Sequence, residues 1–497
     1  MTFPAIQPGR VAPTDPLARS VDDLLARAID EIPALTDELT ELRRRLGGPL
    51  RLALAGKIKA GKSTLLNALL GEELAPTDAG ECTKIVTWYS YGDQPTVMLH
   101  PLAGPPEPTL FHRSDGALDV DLRGHAAEDL HHMEVFWPTR RLAGLTLIDT
   151  PGIASLSTDV SARTLQMLTP DEDTPPAVDA VLYLLRHTHA SDMRFLEAFT
   201  DDEFARGTPM NTVGVLSRSD EIGACRLDAM EVADRIARRY TTDPRLRRLC
   251  PIVVPVAGLL GYAGTTLRES EFRALAAIAA APDAADLLLT ADRLGGRQSP
   301  VAATEIERQH LLGRLGLYGV RVSVELIRTG TANTATELAR QLTVRSGLDR
   351  LRAVLLQQFS ERARVLQTRS ALVGLLALIR TSDSTAADDL RADAEQVTAG
   401  AHEFEEVRLL DALRTSGLEL PPAQAEELDR LLGGSGHDPA SRLGLDAAAS
   451  GEQIAAAARA AMDRWRAIAE HPLLGRAAQN AARGASRTLE GLAARFS

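Results

Sequence analysis

The sequence predicts an α/β domain with a mostly parallel sheet, joined to an α-helical bundle drawn from both ends of the chain. Three observations carry this. From Leu50 to Phe359, short apolar runs alternate with helical stretches, the pattern of strands separated by helices. After about residue 363 no such runs remain. A four-three apolar spacing, the mark of a helical seam, appears before residue 48 and again after residue 450.

Taken in order, residues 1–14 are Pro-rich and read as a disordered lead. Residues 15–48 read as a neck helix. Val21, Leu25, Ala28, Ile32, Leu35, Leu39, Leu42 and Leu46 form its seam, with a break at Pro33 and a stop at Gly47 and Gly48. Residues 49–362 form the α/β domain. Its strand-like runs are "LRLALA", "KIVTWYSYG", "PTVMLH", "LAGLTLID", "DAVLYLLR", "NTVGVLS" and "PIVVPVAG". Residues 262–345 read as a helical insertion, and 346–359 as the closing helix of the domain. Residues 363–497 read as a helical neck or stalk, in which Ile454, Ala458, Ala461, Trp465 and Ile468 repeat the four-three spacing. The matching seams predict that the first and last helices pack as one bundle.

Composition narrows the function. The net charge of −12 argues against nucleic acid as a partner, while leaving room for a local basic patch on an anionic membrane surface. Cys82, Cys225 and Cys250 are too dispersed for a disulfide framework or a zinc site, which suits a reducing compartment. The first residues contain no apolar signal core, and no run reaches membrane-spanning length. The expected location is cytoplasmic, with at most peripheral attachment at the inner face of the plasma membrane. Only four of the 55 basic residues are lysines: Lys57, Lys59, Lys62 and Lys84.

Three of those lysines lie in "LALAGKIKAGKSTLLNALLG", residues 52–71. Gly56, Gly61, Lys62 and Ser63 fit G-x-x-x-x-G-K-[ST], between a strand-like run and a helical one. Amides of such a loop (Gly56, Lys57, Ile58, Lys59, Ala60, Gly61, Lys62, Ser63 and Thr64) curl around phosphates, and the helix N-terminus adds partial positive charge. Lys62 is expected on the β/γ-phosphates, because arginine does not replace a compact ammonium there. Ser63 is expected on Mg²⁺.

Downstream, "LTLIDTPG" ends a strand with Asp149 and places Gly152 to meet a γ-phosphate; Asp149 is expected to hold Mg²⁺ through water. "PTDAGECTKIVTWY" supplies a threonine to bind the metal and sense the γ-phosphate: Thr83, with Thr77 as its competitor. "NTVGVLSRSDEIG" carries Ser217-Arg218-Ser219-Asp220 after a strand. A carboxylate at Asp220 accepts the N1–H and exocyclic amine of guanine, donors that adenine lacks. Arg218 is positioned to lay its guanidinium on the base. In "VVPVAGLL" the backbone of Ala257 and Gly258 reaches the place of a last base-contacting loop. Together these predict a P-loop GTPase domain with GTP as substrate, GTP and GDP as ligands and Mg²⁺ as cofactor.

"GKIKAGKSTLLNALLG" followed by "DTPG" resembles bacterial dynamin-like GTPases. "SRSDEIGACRLDAM", "PVAGLLGYAGTTLRESEF", "GLYGVRVSVELI", "HEFEEVRLL" and "GGSGHDPASRLGLD" resemble the IniC-type branch, the isoniazid-inducible proteins of actinobacteria. The resemblance implies a GTPase domain on a helical neck, self-association through GTPase domains, and action at the inner membrane surface. Ile153 stands where Ras-like enzymes carry a water-orienting Gln, so stabilisation must come from the loop, Thr83 or a second GTPase domain. Lys62, Ser63, Thr83 and Lys59 are the expected catalytic set, with Lys59 either over the β/γ bridge or in solvent. "ALVGLLALI" (371–379) is either a buried core helix or a lipid-inserting one, and the arginines of 475–496 either solvated or lipid-facing. Two functions follow: a membrane-remodelling GTPase, or a regulatory GTPase acting through a protein partner such as a dynamin-like paralogue. His131-His132 and His187/His189 show no carboxylate or cysteine at metal-ligand spacing, so no metal is expected there.

Overall fold

A computed structural model describes residues 16–76, 85–114, 117–151, 175–186, 211–243, 246, 250, 252–296, 302–360, 362–380, 382, 384–414, 418–434 and 436–496. Nine strands form one sheet. In chain order they are β1 (Leu50–Gly56), β2 (Thr87–Tyr91), β3 (Thr96–Pro101), β4 (Glu107–Thr109), β7 (Leu130–Trp137), β8 (Leu145–Asp149), β9 (Ala180–Leu185), β10 (Thr212–Leu216) and β11 (Val253–Pro255). A separate hairpin joins β5 (Phe111–Ser114) to β6 (Ala117–Val120). The spatial order is β11-β10-β9-β1-β8-β2-β7-β3-β4. β8, β1, β9, β10 and β11 run parallel; β2 turns antiparallel to β8, and β3 antiparallel to β7.

The period-2 pattern of β1 explains why the sheet is covered on both faces. Leu52 and Leu54 point to one side, against Leu65, Leu66 and Leu69 of α3 (Lys62–Leu70) and Leu348, Leu351 and Leu355 of a later helix, Leu348–Leu355. Ala53 and Ala55 point to the other, with Tyr183 and with Ala233 and Ala237 of α4 (Ala229–Thr242). β7 was not among the sequence-predicted strands. Its buried residues alternate with His131, His132 and Glu134, so it lacks the continuous apolar run of a central strand.

Between β11 and Leu348–Leu355 lies a helical subdomain with its own core. It packs Leu260 and Ala263 of α5 (Gly258–Thr266), Leu275 and Ile278 of α6 (Glu269–Ala279), Leu311, Leu315 and Tyr318 of α7 (Glu305–Arg328), and Leu338 and Leu342 of α8 (Ala335–Arg345). α8 returns to the sheet through Ser346 and Gly347. Gly347 has φ +77, and a Cβ there would lie 2.2 Å from the Pro255 carbonyl oxygen, so only glycine lets the turn approach β11.

The N-terminal region folds as α1 (Pro16–Glu31) and α2 (Thr36–Leu46), split by a 3₁₀ turn at Pro33–Leu35 where the proline removes a helical donor. A bundle of N-terminal and C-terminal helices forms, with partners more local than matching seams imply. Val21, Leu25, Leu39 and Leu42 pack on Leu372, Leu375 and Ile379 of α10 (Ala363–Arg380) and on Leu390 of α11 (Thr385–Gly400). The seam of α14 (Gly451–Ala469) instead meets α13 (Pro422–Leu431) and α15 (Arg476–Arg495), with Trp465 and Leu489 at the centre of a second core. α12 (His402–Arg414) links the two, giving Phe404 to the first and Leu410 to the second. "ALVGLLALI" is thus buried core. Among the described residues no helix is long and apolar enough to cross a membrane.

The second core encloses a polar knot. Glu406 accepts from Thr488 at 2.6 Å and pairs with Arg442 and His402. The hydrogen bond to Glu406 raises the His402 pKa above its usual value of 6.5, against the effect of burial. Glu406 is held down at about 2, its partners outweighing burial. A raised histidine stabilises the fold below its unfolded pKa, and that contribution is lost as pH rises through the folded value. Thermal unfolding of the wild type is therefore expected to show stability that is lost as pH rises above the usual histidine value of 6.5 and that His402→Gln does not lose; parallel curves for the two would remove His402 from the account.

Candidate nucleotide site

β1 ends in the glycine loop. Gly56 has φ +150, and a Cβ there would lie 2.9 Å from the Leu184 carbonyl oxygen. Gly61 has φ +92 and starts α3 from the left-handed region. The loop between folds Lys62 inward, leaving it 8% exposed. Its Nζ donates to the carbonyls of Gly56 at 3.2 Å and Lys57 at 3.4 Å. Burial lowers its pKa, opposed by the charge of Asp149. Lys59 and Ile58 are exposed at the loop tip, and Lys59 has φ +60.

Asp149 closes β8, whose parallel pairing with β1 sets Asp149 against Leu54. Thr150 Oγ1 donates to the Leu54 carbonyl at 2.8 Å and fixes the chain just beyond. The Ser63 hydroxyl donates to Asp149 Oδ2 at 3.0 Å. Asp149 Oδ1 is buried without a hydrogen-bond partner. Burial pushes the Asp149 carboxyl up, with Lys62 and Ser63 pulling the other way. A buried carboxylate with an unmet oxygen beside a hydroxyl is an all-oxygen donor set, which fits a hard divalent cation such as Mg²⁺.

The loop opens into a pocket lined by Ala60, Gly61 and Thr64 on one side and Ser217, Arg218 and Asp220 on another. Gly258 completes it, where a Cβ would come 3.4 Å from Thr64 Cγ2. Parallel strands explain the convergence, since β1, β9, β10 and β11 all end at this edge. Ser217 donates from both N–H and Oγ to the Leu185 carbonyl, at 2.8 and 3.1 Å. Ser219 ties β10 to β11 through its N–H to the Val256 carbonyl. Asp220 is 7% exposed, and burial raises its pKa to about 6.

Two expectations meet a different geometry. Ala257 is fully buried and its N–H donates to the Ser346 carbonyl at 2.9 Å, so it does not line the pocket. The Arg218 guanidinium lines the pocket but is held by Glu221 at 2.6 Å, which also takes Arg186 at 2.8 Å. Thr83, Thr77, Gly152, Ile153, His187 and His189 lie outside the described residues.

The model of the dynamin family matches residues 52–218, the span from glycine loop to Arg218. The chain is 41% identical over 462 residues to the isoniazid-induced protein IniC of Mycobacterium tuberculosis, covering 93% of both chains. The chain belongs to the bacterial dynamin family, in its IniC branch. It is also 35% identical over 182 residues to the isoniazid-induced protein IniA of the same organism, 34% of this chain and 27% of IniA. A bacterial dynamin-like protein of Nostoc punctiforme is 26% identical over 239 residues, 45% of this chain and 31% of that one.

Within this dynamin-family GTPase domain, sequence reasoning missed Glu221 and the helical subdomain's approach to the pocket at Asp220. A Cβ on Gly316 of α7 would lie 3.8 Å from Asp220 Oδ2, and Asp220 is among the groups that raise Tyr318. No sequence spacing signals a contact that depends on the subdomain folding back. Asn67 of α3 was also missed. It is 1% exposed, accepts from the N–H groups of Leu74 and Ala75 at 3.0 and 2.9 Å, and donates to the Ala75 carbonyl at 2.9 Å. It anchors the chain leading toward residues 77–84.

Asn67→Leu leaves two buried N–H groups unmet and is expected to cost about 3 kcal/mol in urea unfolding. A guanine donor pair needs Asp220 ionised. Guanine-nucleotide affinity is therefore expected to fall roughly tenfold from pH 7 to pH 5, as Asp220 protonates near 6, and to lose this dependence in Asp220→Asn. A fluorescent GDP analogue reads both.

Proposed function

We propose that this protein binds Mg²⁺·GTP in the described pocket, hydrolyses it, and couples turnover to GTPase-domain dimerisation at a membrane surface. The observation that carries this is a buried Lys62 near an Asp149 whose buried Oδ1 is unmet, beside a pocket that ends in Asp220. Gly56, Lys57, Ile58, Lys59, Ala60, Gly61, Lys62, Ser63, Thr64 and Gly152 would hold the phosphates. Ser217, Arg218, Asp220 and the Gly258 backbone would hold the base. Ser63, Thr83 and Asp149 would hold Mg²⁺, which neutralises phosphate charge when bound. Lys62 stabilises charge developing between the β- and γ-phosphates, and its burial strengthens that effect. Lys59 stands exposed at the loop tip, a position from which it can serve its own site or one built with a second copy.

One observation favours the partner-regulated reading. The most apolar helical stretch, 371–379, is occupied by contacts with α1 and α2 and offers no free face to lipid. On that reading a dynamin-like paralogue supplies the membrane contact, and this chain supplies the nucleotide switch.

GTP turnover by the purified chain, with and without anionic liposomes and with ATP as control, separates these. GTP-only turnover that rises with liposomes is the expected result. Turnover indifferent to lipid moves the reading to the partner-regulated switch, and equal ATP turnover removes the guanine assignment. Lys62→Ala is expected to lower turnover by roughly 100-fold or more.

A further inference from the structure

The face of the sheet away from α3 carries a side-chain cluster that the nucleotide site does not use. His132 and Glu134 stand two residues apart on β7, so pleating aims both at the same face. β3 runs antiparallel to β7 and places His100 directly opposite His132. One ligand atom from each of His100, His132 and Glu134 lies within 4.8 Å of the others. His100 Nε2 is 3.6 Å from Glu134 Oε2 and is buried without a hydrogen-bond partner.

The cluster is held from outside. The His100 and His132 rings stack at 4.0 Å between centroids, and His132 stacks on Trp88 at 4.6 Å. His131 Nδ1 and His132 Nδ1 share a hydrogen bond at 3.1 Å. Ser90 donates to the second Glu134 oxygen at 3.0 Å, and its hydroxyl also meets Thr146 at 3.2 Å. Such outer contacts orient the ligands of metal sites.

We propose that His100, His132 and Glu134 form a binding site for a divalent transition ion of the zinc class, distinct from the nucleotide site. Two imidazoles and a carboxylate are zinc-type donors, at about 2.0–2.2 Å from the ion, whereas Mg²⁺ and Ca²⁺ select oxygen. A tetrahedral shell of that radius sets ligand atoms about 3.4 Å apart, against the 4.8 Å within which they lie here, so an ion would turn the His100 and His132 rings out of their stack. His100 and Glu134 are 24% and 20% exposed, which gives an ion an entry path and leaves a coordination position for water. Arg51 lies over Trp88 at 4.7 Å and is countered by Glu41 of α2 at 3.1 Å; Arg44 competes electrostatically for Glu134. The series Glu41, Arg51, Trp88, His132, His100 runs from α2 to the cluster. An ion there clamps β3 to β7 beneath the helix that joins the bundle to the sheet.

The test uses the full-length chain without an affinity tag, with excess Mg²⁺ and GDP to fill the nucleotide site. Zn²⁺ is titrated by calorimetry and Co²⁺ by visible absorption. One saturable Zn²⁺ per chain, with a nitrogen-ligated Co²⁺ band, is expected. His100→Gln and Glu134→Gln should each weaken binding at least tenfold, and His112→Gln, on the separate hairpin, should not. Unfolding temperature and GTP turnover show whether each variant is folded. No saturable Zn²⁺ binding by the wild type, a Co²⁺ spectrum of oxygen ligands alone, or binding unchanged in folded His100→Gln and Glu134→Gln would each overturn the site.

Discussion

A carboxylate buried with one oxygen unmet is costly, and the fold around Asp149 is arranged to keep it there. β8 can carry Asp149 to that depth because β1 lies beside it in parallel and Thr150 is pinned to Leu54. The same strand β1 delivers Gly56, whose lack of a Cβ lets the loop pass Leu184 and turn Lys62 inward. Lys62 therefore gives its hydrogen bonds to carbonyls of its own loop, and Asp149 takes one from Ser63. The ammonium and the carboxylate perturb each other without a direct ion pair, so both retain valence for a third charged group. On the proposed reading, nucleotide phosphates and a divalent cation would satisfy both at once.

The attachment of the helical bundle follows from a second buried charge. Asp179, 4% exposed, accepts the Arg51 N–H at 2.9 Å and pairs with Arg45 at 3.5 Å. Arg45 sits at the end of α2 and also donates to the Pro176 carbonyl at 2.6 Å. Asp179 immediately precedes β9, and β9 borders the glycine loop. A shift of α2 must therefore break a buried pair or move the start of β9. Breaking buried pairs is expensive, so the rigid alternative is favoured. These contacts tie the end of α2 to the start of β9, the strand beside the one that runs into the glycine loop.

Much of this architecture was legible in the chain, because the informative residues are local in sequence. Gly56, Gly61, Lys62 and Ser63 lie in one short window, and the strand-loop-helix context needs only their neighbours. The break at Pro33 and the helical character of 363–497 are likewise local properties. What could not be read depends on chain reversal. β7 hides because His131, His132 and Glu134 interrupt its apolar alternation, and His132 and Glu134 share a face with His100 only once β3 has turned back. The seam of α14 resembles that of α1, yet a seam states only that a partner exists. α15 follows α14 through a short connection, and that proximity, not matching periodicity, decides the pairing. The engagement of Ala257 by Ser346 required the whole subdomain to fold before it could appear.

That subdomain also shapes the surroundings of Ser217-Arg218-Ser219-Asp220, the tetrad proposed to read the base. Arg218 adopts φ +51 and is held by Glu221, so it is a less mobile wall than a free lysine stem. Asp220 faces Gly316, where α7 leaves the helical geometry at φ +65 and removes any side chain from the carboxylate's side. A Cβ there would make only ordinary contacts, 3.7 Å to Leu259 and 3.8 Å to Asp220, so the φ of +65 rather than lack of space asks for glycine. The insertion thus stands behind Asp220 and adds to the burial that raises its pKa to about 6. If Asp220 reads the base as proposed, base selectivity would depend on the packing of α7 against α5 as well as on the four residues at the end of β10.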